Sequence, residues 1–356
     1  MASRPIKTAS LFTAAGKRAL MEISQPQPGS FACDGLFPDG AQSLFRAWRT
    51  AATPLYRYTF GPAAFDPALT LFGWNNLPLH DTLYTQPQTV LEQFVTQGKD
   101  RVEHCRRTAW AGFDHWSGNY YHWVAHTLPA LRYFLDHAGR DDVFLLPPLT
   151  RWQEDSLDLV GLEPHRRMMT RPGTRYEFER VIYTDFIRGR ADFTSSGIAR
   201  HAYASLRSAV SPPAPAKRFL FIDRGDAPNR HVPNGAELTA AFMQLGFERV
   251  HPERLSLREQ IDLFAQARMV AGFLGAGLAN IAWCQAGALV YELVPSHHQN
   301  PCFLAMSIQG GLQYWGELVQ TGVQGHDHTS AAMLAADTGR IIGHARVLMH
   351  RAGTGG

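Results

Sequence analysis

The segment Asp114-His115-Trp116-Ser117-Gly118-Asn119-Tyr120-Tyr121-His122-Trp123-Val124-Ala125-His126 concentrates polar and aromatic side chains in thirteen residues. His122 and His126 are spaced i, i+4, which on a helix turns both imidazoles to one face. An imidazole titrates near neutral pH, so a histidine here could take a proton from a hydroxyl as general base. The pair could instead hold zinc with a third ligand from His297, His298, His326 or His328. No HExxH pattern or acidic ligand at the usual spacing supports that reading. Two hydrogen-bonded core histidines are the plain structural alternative.

A second group lies in the C-terminal half. Arg224 follows the apolar run Arg218 to Asp223 directly, with Arg230 and Asn234 in the loop beyond. Gly275-Ala276-Gly277 stands between an apolar strand pattern and a helix pattern, and Glu292 lies near the end of the next strand pattern. A glycine turn lets the backbone approach a ligand, and the helix after it points free N–H groups at an anion. A diphosphate fits there, with the Arg224 guanidinium closing on it as a fork and Glu292 accepting hydrogen bonds from ribose hydroxyls. Taken singly, the glycine turn reads as packing and Arg224 as a surface charge. Their shared position past the carboxyl ends of parallel strands favours a nucleotide. The turn is not GxGxxG after a first strand, no GxxxxGK[ST] occurs, and no Asp-x-Asp pair offers a metal chelate. A metal-independent nucleotide site is the consistent remainder.

The elements that must position these residues are most regular past Ser211-Pro212-Pro213-Ala214-Pro215-Ala216, a stiff linker. Strands are expected at 218–223, 247–250, 269–273, 289–294 and 312–315, with helices at 236–245, 257–267 and 301–308 and a helical tail at 331–349. Strands alternating with ten-residue helices predict a parallel sheet covered on both faces. Before the linker, 119–138 reads as a helix interrupted at Pro129, 143–146 and 181–184 as strands, and 152–160 and 195–210 as helices. Residues 1 to about 80 read as loops and short strands. The organisation expected is an N-terminal α/β domain over 1–210, a nucleotide-binding α/β domain over 217–325 and a helical tail over 326–356.

Composition narrows the classes. The 356 residues are 45% hydrophobic and carry 34 basic against 31 acidic residues, a net charge of +3 that is too balanced for a nucleic-acid scaffold. Only four basic residues are lysines (Lys7, Lys17, Lys99, Lys217), so 34 − 4 = 30 are arginines, a supply of rigid forks for phosphate or carboxylate. Cys33, Cys105, Cys284 and Cys302 form no CxxC pair, which argues against a disulfide scaffold or zinc ribbon. No signal peptide is read at the start, and the apolar stretch 269–294 reads as strand, turn, helix and strand, not as a membrane span. The expected location is the cytoplasm; Arg166, Arg167, Arg171 and Arg175 read first as a solvated face, with contact to the anionic inner face of a membrane as the alternative.

Taken in order, these segments resemble the family 61 glycosyltransferases, whose members include bacterial capsule and exopolysaccharide enzymes. The resemblance is carried by Asn119-Tyr120-Tyr121-His122-Trp123 with Leu128-Pro129, then Arg224, Arg230 and Asn234. Gly246-Phe247, Leu255-Ser256, Glu259-Gln260-Ile261, Phe264 and Ala267 follow, then Gly275 to Asn280 and Glu292 to Pro295. It spans about residues 110 to 316. It implies an α/β, GT-B-like fold of two Rossmann-like domains with the C-terminal helix packing back. The implied activity is inverting, metal-independent transfer from a nucleotide sugar, a UDP-sugar foremost, to a glycan of capsule, exopolysaccharide or lipopolysaccharide type, with no further cofactor. The base would come from His122, His126 or Asp114, and the donor site from Arg224, Arg230, Asn234, Gly275, Ala276, Gly277, Asn280 and Glu292. Three positions depart from the family pattern: Leu274 and His126 stand where histidine and an acidic residue are usual, and Gly235 follows Asn234 where Glu is common. The alternative is therefore a catalytically altered GT-B-fold binding or scaffold protein.

Overall fold

The computed structural model describes residues 6–19, 21–24, 54–83, 88–97, 101–187, 196–224, 232–321 and 334–354. Arg230, His326 and His328 lie outside the described residues. The described residues form two compact units, the first running to Ala202 and the second from Tyr203. The division falls within the helix Gly197–Val210, ahead of the proline-rich linker.

The first unit holds eleven strands among its described residues: β1 (Met21–Ser24), β2 (Leu55–Phe60), β3 (Ala63–Asp66), β4 (Leu71–Trp74), β5 (Leu77–Pro78), β6 (Arg101–Cys105), β7 (Ala109–Trp110), β8 (Val143–Leu146), β9 (Arg167–Met169), β10 (Thr174–Phe178) and β11 (Val181–Thr184). They make a six-stranded sheet in the order β1-β2-β11-β7-β8-β9 and a five-stranded sheet in the order β5-β4-β3-β10-β6. From β11 to β9 neighbours run parallel, whereas β1, β2 and β11 pair antiparallel, as do β5, β4, β3 and β10. The parallel run β11-β7-β8-β9 follows the strand–helix alternation expected of a Rossmann-like half, and the antiparallel strands are additions to it. The β4–β5 addition has a local cause: Asn75 and Asn76 both adopt positive φ and make the two-residue turn that sends the chain straight back.

The second unit follows the expected pattern closely. Strands β12 (Arg218–Ile222), β13 (Glu248–Val250), β14 (Ala267–Phe273), β15 (Leu289–Pro295) and β16 (Gln313–Val319) form one parallel sheet in the order β13-β12-β14-β15-β16. All seven residues of β15 are buried, because it lies between two neighbours with both faces covered. Phe221, Met269, Ala271, Tyr291, Leu293 and Trp315 pack in one core with Leu238 and Phe242 of the helix Gly235–Gln244 and with Ile341, Ala345 and Leu348 of the helix Thr338–Thr354. The C-terminal helix thus completes this unit's core. Buried Glu317 fixes it further, accepting from His344 Nδ1 at 2.7 Å and pairing with Arg340 Nε at 2.8 Å. The chain moves from β12 out to β13 and then returns to β14 on the other side of β12, so the order reverses between β12 and β14. A crevice opens past the carboxyl ends of strands at such a reversal.

Candidate functional site

Two clusters carry chemistry, one in each unit. In the first, Asn119 starts a helix by accepting a hydrogen bond on its side chain from the Tyr121 N–H at 2.9 Å. Helix Tyr120–His122 passes into a π turn, Trp123–Thr127, and then into helix Leu128–His137. Pro129 lacks the N–H that an α register requires, and the widening lies just ahead of it: the Leu128 N–H reaches back five residues to the Trp123 carbonyl. The interruption expected at Pro129, a kink or a split, takes the form of this widened turn, after which the helix continues. Trp123 anchors it by donating from Nε1 to Ser156 Oγ at 2.9 Å, and Gln153 Nε2 donates to the Ser117 carbonyl at 2.8 Å.

This placement aims both histidines at one buried carboxylate. His122 Nδ1 lies 2.8 Å and His126 Nδ1 2.7 Å from the same oxygen, Asp114 Oδ2, while the Trp116 N–H donates to Oδ1 at 2.8 Å. Burial alone would raise the Asp114 carboxyl, but the hydrogen bonds and charges of the two histidines outweigh it and hold the group well below the usual carboxylate range. An ionised carboxylate only accepts, so both imidazoles carry hydrogen on Nδ1 and leave Nε2 as the remaining nitrogen. The two are not equivalent. The His126 side chain is fully enclosed, and burial lowers its basicity with Asp114 pulling part of the way back. The His122 side chain keeps 13% exposure. Trp116, 43% exposed, stands edge-on to His122 at 5.1 Å between ring centroids, and Tyr121 at 5.5 Å.

Asp114, His122 and His126 are also the group, among the described residues, whose ligand atoms lie close enough together to hold a metal ion, all within 4.8 Å. As placed, their closest separations are hydrogen-bond distances. Around one tetrahedral zinc with bonds of about 2.1 Å, donor atoms stand about 3.4 Å apart, so an ion would have to spread this set.

In the second unit, Arg224 leaves the end of β12 and Gly275-Ala276-Gly277 leaves the end of β14, on the two sides of the strand-order reversal. A Cβ added at Gly275 would stand 1.8 Å from Arg224 Nη1, so the missing side chain is the space the guanidinium occupies. Arg224 also donates to the Leu274 carbonyl at 3.4 Å. Arg224, Gly275, Ala276 and Gly277 line a cavity of about 260 Å3 at the head of the 3-10 helix Ala276–Trp283. Arg224 lines a second cavity of about 220 Å3 with Gly235 and Ala236, the first residues of helix Gly235–Gln244. Two helix N-termini therefore flank one guanidinium, and both favour an anion. Asp223, one residue before Arg224, closes the second cavity by holding the Arg249 Nε at 2.6 Å. The only signal of this pair in the sequence is the place of Asp223 at a strand end, beside Arg224.

The other described donor-site residues are engaged with neighbouring parts of the fold. The Asn234 amide is engaged with the chain near the C-terminal helix, donating to the Ala336 carbonyl at 2.9 Å and accepting from the Ala336 N–H at 2.7 Å. Asn280 is fully buried, donating to the Gly277 carbonyl at 3.0 Å and accepting from Trp283 Nε1 at 3.0 Å. Glu292 is fully buried in mid-strand and accepts from the Tyr314 hydroxyl at 2.5 Å. Leu274, where the family pattern has histidine, is itself buried. No helix among the described residues is long and apolar enough to cross a membrane.

No curated protein matches the chain. The family model described as glycosyltransferase 61 matches residues 120–291, a stretch running from the first turn of the His122 helix through β12, Arg224 and the Gly275 turn into β15. That match and the ordered motifs it contains support a glycosyltransferase of family 61.

Proposed function

We propose that the protein is an inverting glycosyltransferase of GT-B type that needs no metal and moves a sugar from a nucleotide-sugar donor, a UDP-sugar foremost, to a hydroxyl of a glycan acceptor. The observation that carries this reading is the shared oxygen of Asp114. It fixes Nδ1 of His122 as a donor and so presents Nε2 as the base. His126 holds the other side of that oxygen and acts as a positioning residue. In the reaction the acceptor hydroxyl gives its proton to His122 Nε2 and its oxygen bonds to the anomeric carbon. The bond from that carbon to the diphosphate breaks with its electron pair leaving on phosphate. Asp114 stabilises the imidazolium that forms, and Arg224 with the N–H groups beyond Gly275 stabilises the departing diphosphate. Cytoplasmic location at a membrane face and a surface-polysaccharide acceptor belong to the same proposal.

Calorimetric titration with UDP, GDP, CMP and ADP, each with and without EDTA, tests the donor half. One nucleotide is expected to bind tightly and equally in both conditions. Loss of binding with EDTA would favour a metal held by Asp114, His122 and His126, and no binding at all would favour the scaffold alternative. For the acceptor half, His122→Ala is expected to lower transfer about 10²- to 10⁴-fold with nucleotide affinity unchanged. Turnover retained in that variant would remove His122 as the base.

A further inference from the structure

Lys17, Arg18, Arg57 and Arg180 line one cleft of about 720 Å3 in the first unit, together with Met21 and Thr59. Three elements bring them there. The helix Leu11–Ala19 is interrupted at Gly16, whose φ of 65° is left-handed, just before Lys17 and Arg18. Arg57 and Thr59 alternate on one face of β2, with Met21 of β1 opposite Arg57 in register. Arg180 directly precedes β11, which pairs with β2.

Among the described residues no carboxylate pairs with any of these four cations. Several arginines elsewhere do have such partners: Arg132 pairs with Asp136, Arg167 with Asp158, Arg218 with Glu248 and Arg249 with Asp223. Arg57 hydrogen-bonds a neutral group, the phenol of Tyr133; burial raises that phenol, and the charge and hydrogen bond of Arg57 oppose the rise. Arg57 Nε is itself buried without a hydrogen-bond partner. Like charges gathered in a concavity repel, and a bound anion relieves that repulsion while filling the open donors. A single carboxylate neutralises one charge of four. A phosphoryl or diphosphoryl group brings two or more charges and enough oxygens for two guanidinium forks and an ammonium.

We propose that this cleft is a phosphate site that takes the phosphomonoester or diphosphate group of a ligand. It stands on the first unit's residues alone and does not depend on the transferase reading. The test uses the full chain carrying Arg224→Ala, so that the anion turn of the second unit is weakened, and titrates it with inorganic pyrophosphate and inorganic phosphate. Pyrophosphate is expected to bind more tightly than phosphate and to weaken as salt rises from about 20 to about 300 mM. Adding Arg18→Ala and Arg180→Ala is expected to weaken pyrophosphate at least about tenfold while the unliganded Tm and far-ultraviolet circular dichroism stay in place. If that variant is poorly folded, Lys17→Ala with Arg180→Ala replaces it.

A second arm identifies the source of the phosphate. Sedimentation with phosphatidic acid vesicles that pyrophosphate reverses assigns a lipid headgroup. Pyrophosphate binding without sedimentation assigns a soluble phosphorylated ligand. Equal pyrophosphate affinity with and without the cleft arginines, or no binding to either probe, overturns the site.

Discussion

At Asp114 one carboxylate oxygen serves two imidazoles, and the division of labour between them follows from burial. His126, fully enclosed, is held neutral because burial penalises its charged form more than Asp114 favours it. Its folded pKa lies below the ordinary 6.5, so as pH falls through 6.5 the unfolded chain gains a proton that the folded protein refuses. The fold therefore loses stability in acid from this group, by at most about 1.4 kcal/mol per pH unit. Asp114 acts in the same direction lower down, its contribution present above pH 3.8 and lost as pH falls below it. Thermal unfolding at pH 7.5 and pH 5.5 checks the histidine term: His126→Gln should lose less Tm across that interval than the parent chain. Equal losses would mean that His126 is protonated in the fold. The i, i+4 spacing made the histidine pair legible in the sequence. That Asp114 bonds both was not, since a loop residue eight and twelve positions away meets them only through the turn at 115–118 and the Trp116 N–H.

The strand–turn–helix units set how the second cluster works. Gly275 leaves room for Arg224, and the obstacle to any larger residue there is the mobile end of a side chain, not backbone. Gly275→Ala should therefore fold, push the guanidinium aside and weaken UDP binding by about 1.5–3 kcal/mol, roughly ten- to 150-fold. Gly277→Ala is the matched control, since a Cβ there meets Ile222 and Pro252 at an ordinary 3.5 Å and should leave affinity nearly unchanged. Unaltered affinity in Gly275→Ala would take Arg224 out of the donor site. The elements of this half were readable because buried parallel strands are unbroken apolar runs, and β12, β14 and β15 all fall close to their expected bounds. Glu292 already stands fourth in the expected strand 289–294, and in β15 it is buried in mid-strand against Tyr314. The five-stranded sheet stayed hidden for the opposite reason. Its edge strand β6 is exposed or half-exposed throughout and leaves no hydrophobic period, and although β10 alternates, its pairing with β3 spans more than a hundred residues and has no local signal.

Across the whole chain the two units offer different anion chemistry. The second presents one arginine between two helix N-termini, a geometry that suits a nucleotide diphosphate. The first presents four cations with no helix N-terminus among the cleft's elements, where charge alone governs affinity. Ligands that bind only the folded form stabilise the unit that holds them, by about 2.7 kcal/mol at a hundredfold excess over Kd. Hydrogen exchange on the full chain separates the two. UDP should slow exchange at 222–224 and 274–280 with little effect at 55–60. Pyrophosphate, in the Arg224→Ala chain, should slow exchange at 55–60 and around Lys17 with little effect at 274–280. Protection of 274–280 by pyrophosphate in that chain would mean that the glycine turn binds diphosphate without its arginine. Protection of 55–60 by UDP would mean that the nucleotide is felt in both units, and the assignment of one anion to each would fall.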